Sequence, residues 1–198
     1  MKAIVLDYGA GNLHSIAQAL RASSADVVLE SEPRAALNGD LLVLPGVGAF
    51  TTAAERLGSA RSEIAAALRD GHPCLGICLG MQLLMHRSEE GPGAGLGVIP
   101  GDVRRLTSNT VPHMGWNSLE DVSAPLIAEP GLDSAYFANS FVCRPAAENV
   151  VLAWTTHETE RFPAVVRHAN TVGVQFHPEK SSQPGLRFIV GFLREVVT

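Results

Sequence analysis

The chain is poor in cysteine, in basic charge and in long apolar runs, and each shortage removes a class of protein. Only three of 198 residues are cysteine, at positions 74, 78 and 143. An odd, low count in a chain of this size is no disulfide framework and fits a reducing cytoplasm. Lys and Arg number 15 against 20 Asp and Glu, for a formal net charge of -5. A nucleic-acid binder needs a basic face, and this balance speaks against one. No stretch approaches 18 uninterrupted apolar residues, so no transmembrane helix is expected. The first apolar run stops at Asp7, too early for the apolar core of a signal peptide. What remains is 46% hydrophobic and 18% charged, enough apolar material for a sizeable core and too much for disorder.

The first 80 residues alternate between two patterns. Ala3 to Leu6, Val27 to Leu29, Leu41 to Leu44 and Pro73 to Ile77 are short apolar runs closed by Gly, Pro or Asp. Such runs suit strands buried on both faces. Between them lie helical patterns. Leu13, Ile16, Ala17 and Leu20 follow Asn12, a capping residue type, and Thr51 to Arg69 and Leu79 to Arg87 read as helices. Strands alternating with helices predict a doubly wound, mostly parallel α/β sheet of flavodoxin-like type. Ligands of such sheets bind beyond the carboxyl ends of the strands, where Gly46 and Cys78 fall.

Beyond residue 88 the character changes. Glu89 to Gly101 is a Gly- and Pro-rich loop, whose glycines at 91, 93, 95 and 97 suggest a mobile surface segment. Val103 to Leu106, Ala135 to Val142, Val150 to Trp154, Ala164 to Arg167 and Val172 to Phe176 are strand candidates, read as antiparallel additions to the sheet. Leu186 to Val197 is a closing amphipathic helix. No repeat or long linker divides the chain, so residues 1–198 are expected to form one domain.

Gly76-Ile77-Cys78-Leu79-Gly80 sets a nucleophilic residue type between two glycines at a strand-to-helix junction. A nucleophile elbow needs that spacing, because a sharp turn that lifts the side chain out of the sheet tolerates only small neighbours. The following helix start favours a thiolate, and the N–H of Leu79 points at an oxyanion formed beside the sulfur. Most free cysteines are inert packing residues; the flanking glycines after an apolar strand argue against that here. A metal cluster of His72, Cys74 and Cys78 has little support, since Cys78 lies beyond the turn and no second zinc-type pair exists.

A cysteine nucleophile needs a base. Of seven histidines, His177 ends the apolar run Val172-Gly173-Val174-Gln175-Phe176 and is followed by Pro178 and Glu179. Glu179 is close enough to orient the imidazole. Taken alone, His-Pro-Glu also reads as an ordinary polar turn. Gly46-Val47-Gly48 lacks a third Rossmann glycine and a Walker lysine, which discounts nucleotide binding. Its better use is the second half of an oxyanion hole facing Leu79.

Together, Pro45 to Gly48, Gly76 to Gln82 and His177 to Glu179 resemble, in order and spacing, the class I (triad) glutamine amidotransferases. Within that family, Asp7 to Leu13, Pro112 to Asn117 and Gln175 to Ser181 are most similar to the glutaminase subunits of imidazole glycerol phosphate synthases, over essentially the whole chain. The resemblance implies Cys78 as nucleophile, His177 as base and Glu179 as its partner. It implies that glutamine and its oxyanion meet Gly46, Val47, Gly48, Leu79, Gln82, Glu90, Asn139 and Ser140. Phe141 stands where the family usually has Tyr and brings no hydroxyl. Asn12 and Trp116 would meet a (β/α)8-barrel cyclase, the partner that uses the ammonia in histidine biosynthesis. No cofactor is implied. The amidotransferase pattern uses up the chain, so the ammonia is expected to pass to that second chain, whose ligand-bound form would activate the glutaminase. Two rivals share the residues: a glutaminase subunit of another synthase, serving pyridoxal phosphate or purine synthesis, and a cysteine hydrolase or protease of similar fold.

Overall fold

The computed structural model describes residues 1–9, 13–46 and 48–197. In chain order the elements are β1 (Lys2–Leu6), α1 (His14–Ala22), β2 (Asp26–Glu30), β3 (Leu41–Leu44), α2 (Phe50–Leu57), α3 (Arg61–Arg69), β4 (Cys74–Ile77), α4 (Leu79–Leu83), β5 (Arg87–Ser88), β6 (Gly101–Arg105), β7 (His113–Ser118), α5 (Pro125–Ala128), β8 (Ser134–Asn139), β9 (Phe141–Pro145), β10 (Val151–His157), β11 (Glu160–His168), β12 (Thr171–Val174) and α6 (Ser182–Val197).

Seven strands form the central sheet in the order β10-β11-β12-β4-β3-β1-β2. The five from β12 to β2 run parallel, and β10 and β11 add an antiparallel edge. The apolar runs explain the layering. Along a strand, successive side chains point to opposite faces. Ala3, Val5, Leu41, Val43, Leu75 and Ile77 join one buried cluster with Ile16 and Leu20 of α1 and Phe188 and Phe192 of α6. Ile4, Leu6, Leu42 and Leu44 face the other way and pack with Phe50 and Leu57 of α2, Ile64 and Leu68 of α3, and Met81 and Leu83 of α4. A sheet covered by helices on both faces needs strands apolar at every buried position, which is what β3, β4 and, from Ala3 onward, β1 have.

Two small sheets lie outside this frame, β5-β6-β9 and β7-β8. The run Val172 to Phe176, expected as an antiparallel addition, supplies β12, which runs parallel to β4 within the core of the sheet. Four further local readings change. The helix expected over residues 51–69 is two helices, broken at Gly58, whose φ of +47° no right-handed helix accepts. The helix expected from Leu79 to Arg87 ends at Leu83, because the carbonyls of Leu83, Leu84 and Met85 accept from Leu96, Ile99 and Gly97 rather than from a next turn. The same bonds bury residues 95–99, so the glycine-rich stretch is in part core and not a surface loop; a Cβ at Gly95 would meet the Met85 oxygen at 2.2 Å. The strand expected over residues 135–142 breaks at Ser140, with β8 and β9 in different sheets.

Candidate active site

Three neighbouring parallel strands, β3, β4 and β12, deliver the site. Their carboxyl ends lead into Gly46, Cys78 and His177. Residues far apart in sequence therefore meet by strand order alone.

Cys78 sits at φ +47° and ψ −103°, an unfavourable conformation for a side chain with a Cβ, and it opens α4 directly. The glycines around it are steric requirements. A Cβ on Gly76 would lie 2.8 Å from the backbone of Gly80, and one on Gly80 would lie 1.9 Å from the Leu44 oxygen. A Cβ on Gly46 would sit 3.0 Å from both the Cys78 Cβ and the His177 ring. Gly46 is thus wedged between nucleophile candidate and base candidate. Its neighbour Val47, like Asn12, lies outside the described residues.

His177 is buried and donates from Nδ1 to Glu179 Oε1 at 2.8 Å. Burial pulls the imidazole pKa down, but hydrogen bonds to Cys78 and to Glu179 outweigh it and raise the value to about 9. The ring that faces the sulfur is therefore an imidazolium at neutral pH. The segment bearing it is tied to β8 by two bonds and closed on itself by a third. His177 N–H donates to the Tyr136 carbonyl at 2.8 Å, Tyr136 N–H to Ser181 Oγ at 2.9 Å, and Ser181 Oγ to the His177 carbonyl at 2.7 Å.

Beside the sulfur is a small cavity of about 180 Å³. Gly46, Gly48, Cys78, Leu79, Gln82 and Glu90 line one side, and Ala138, Asn139, Ser140 and Phe141 the other. Every described residue expected around glutamine therefore borders this one space. Gln82 donates to the Phe141 carbonyl at 3.1 Å, and Asn139 donates to the same oxygen at 3.2 Å. The buried Asn139 Oδ1 has no partner among the described residues, so it is free to receive a ligand's N–H. Glu90 accepts from the Phe50 N–H at 2.8 Å and so also caps α2.

Larger cavities lie between α5 and α6 and near the start of β1, both away from Cys78. Among the described residues no three His, Cys, Asp or Glu side chains are grouped to hold a metal, and no helix is long and apolar enough to cross a membrane.

Trp116 on β7 is 54% exposed, beside Met114 at 63%. The register pairs Met114 with Ala138 and Trp116 with Tyr136, so these side chains share one outward face of β7-β8. Lys180 lies 6.0 Å from the Tyr136 ring. Met114 and Trp116 form an exposed apolar face on a two-stranded ribbon whose other strand borders the cavity.

Two features escaped sequence reasoning. His113 is buried, stacked on His157 at 4.2 Å and on Phe137 at 5.0 Å, which fixes β7 against β10. Gln175 is fully buried and touches Cys78 Sγ; a polar residue inside the apolar run 172–176 was the available signal.

Residues 4–195 match the family model of glutamine amidotransferase class-I. The chain belongs to that family. The imidazole glycerol phosphate synthase subunit HisH of Acaryochloris marina is 42% identical over 97% of this chain and 94% of its own length. HisH of Halobacterium salinarum is 44% identical over 96% and 91%. A solved structure of PurLQS from Thermotoga maritima superposes with a TM-score of 0.78 at 18% identity, covering 98% of each chain, which establishes the shared fold.

Proposed function

We propose that Cys78, His177 and Glu179 hydrolyse the carboxamide of glutamine and that the ammonia passes to a (β/α)8-barrel cyclase. The chain is the glutaminase subunit of an imidazole glycerol phosphate synthase, acting as one amidotransferase unit in a reducing cytoplasm. Relatives of that name, aligned over nearly the full length, support the pathway. One observation carries the chemistry: a cysteine in a strained elbow borders the same cavity as Gln82, Glu90, Asn139 and Ser140, with an imidazolium–carboxylate pair on the adjacent strand end.

The sulfur attacks the carboxamide carbon as a thiolate. The oxyanion is held by the N–H of Leu79 and by the strand end Gly46 to Gly48. Protonated His177, oriented by Glu179, gives its proton to the departing ammonia, leaving a thioester on Cys78. Water then attacks the thioester while His177 takes its proton. Glutamate leaves, and the proton returns the imidazolium–thiolate pair. The apolar face of Met114, Trp116 and Tyr136 receives the cyclase, and Asn12 is the second contact that the family resemblance implies. The test is glutamate release by the full chain, alone and with a barrel cyclase and its ligand. Strong stimulation supports the reading; cleavage of peptides instead, or stimulation only by another synthase, contradicts it.

A further inference from the structure

We propose that Gln175 is a positioning residue for the nucleophile, donating a hydrogen bond to the Cys78 sulfur and tying it to the wall that holds glutamine; this rests on Cys78 being the nucleophile. Gln175 is fully buried at the end of β12, and its Nε2 lies 3.4 Å from Cys78 Sγ. Its Oε1 lies 3.5 Å from Gln82 Nε2, and that same Nε2 lies 3.1 Å from the Phe141 carbonyl oxygen.

This chain of contacts has one self-consistent direction. The Phe141 carbonyl only accepts, so the Gln82 amide must present its NH2 there. The second hydrogen of that NH2 then meets Gln175, which must present its oxygen. The Gln175 NH2 is left pointing at the sulfur. The orientation of two buried amides is therefore set by a backbone carbonyl rather than by choice of flip.

Three other groups approach the sulfur. His177 approaches from the end of the same strand, and the Ala138 carbonyl oxygen is 3.9 Å away. Cys143 on β9 is also near, but burial pushes its thiol far above the ordinary range, so it stays neutral. A neutral donor from beneath holds the sulfur in the rotamer that faces the cavity. It also stabilises the thiolate without competing with His177 for the proton. Because Gln82 borders the cavity, a ligand that pulls on Gln82 acts on the sulfur through Gln175.

The test is the pH profile of iodoacetamide alkylation of the full chain, read by mass at Cys78, which borders the cavity and is 6% exposed where Cys74 and Cys143 are fully buried. In Gln175→Met, which keeps length without the donor, the midpoint should rise by about one pH unit, the worth of a hydrogen bond to a charged group. Turnover of glutamine should fall about tenfold in kcat, with KM changed by no more than about twofold. Gln175→Glu, isosteric but anionic, should raise the midpoint further, and it covers the case in which the methionine variant fails to fold. An unmoved midpoint in a variant with the wild-type melting temperature overturns the inference. Glutaminase activity surviving in Cys78→Ala would instead overturn the triad reading beneath it, so the two failures are distinguishable.

Discussion

Replacing Gly80 by Ala sets two effects of known size against each other. Gly80 lies inside α4, where alanine is the better helix former by about 1 kcal/mol. A Cβ there would stand 1.9 Å from the Leu44 carbonyl oxygen and 2.6 Å from its carbon. Ordinary contact begins at 3.4 Å, so the shortfall is 1.5 Å. The obstacle is backbone of β3, and no rotamer change relieves it. Overpacking by one methyl costs about 1–3 kcal/mol where side chains can yield, so the upper end applies here. The steric term wins, with a net loss of about 2 kcal/mol. For a chain of this length that lowers the melting temperature by roughly 4–8 °C. Activity should fall further than stability. Parting α4 from β3 draws Cys78 away from Gly46, and a misplacement of about 1 Å costs on the order of a hundredfold in rate. The assay is thermal unfolding beside glutamine turnover, with Gly191→Ala as control. Gly191 is inside α6, where a Cβ meets only Leu126 Cδ1 at 3.5 Å, so that variant should gain up to about 1 kcal/mol. A Gly80→Ala protein as stable and active as wild type would refute the packing argument for the elbow.

Other outcomes follow from the same geometry. The His177 imidazolium is held to about 9 against 6.5 for a free histidine, so its contribution to stability is complete below pH 6.5 and is lost as pH rises through 9. Turnover should show a falling basic limb near pH 9, and Glu179→Gln should move that limb to lower pH; a limb unchanged in that variant would contradict the pairing. His113 has the opposite sign. Burial, then the charge of His157, lowers it to about 4, so the fold should lose stability as pH falls from 6.5 toward 4. Urea unfolding at pH 7.5 and 5 should show the loss in wild type and less of it in His113→Phe. Trp116→Ala and Met114→Ala should leave the melting temperature within about 1 °C and weaken binding of a barrel cyclase by tenfold or more, measured by calorimetry.

How far the sequence could be read depends on how local each cause is. Leu41 to Leu44 declared a doubly buried strand because all four side chains are apolar, and the elbow was visible because its glycines flank Cys78 at a spacing with one steric purpose. The pairing of Cys78 with His177 needed only that both end strands. The end of α4 at Leu83 was not legible, since it depends on Leu96, Gly97 and Ile99 returning to its carbonyls. Nor was the break at Ser140, which exists because β8 pairs with β7 while β9 pairs with β6. The stack of His113 on His157 joins two strands with no pattern between them. Gln175 is the instructive case: its polarity in an apolar run was on view, but the partner that explains it, Cys78, belongs to a neighbouring strand end.

The central claim is that Cys78 is the nucleophile of a glutaminase that serves a cyclase. The most direct measurement is glutamate released from glutamine by wild type and by Cys78→Ala, each in the presence of a barrel cyclase and its ligand. The account expects stimulated turnover in wild type and a loss of at least about a thousandfold in the variant. Turnover in Cys78→Ala within tenfold of wild type would contradict it.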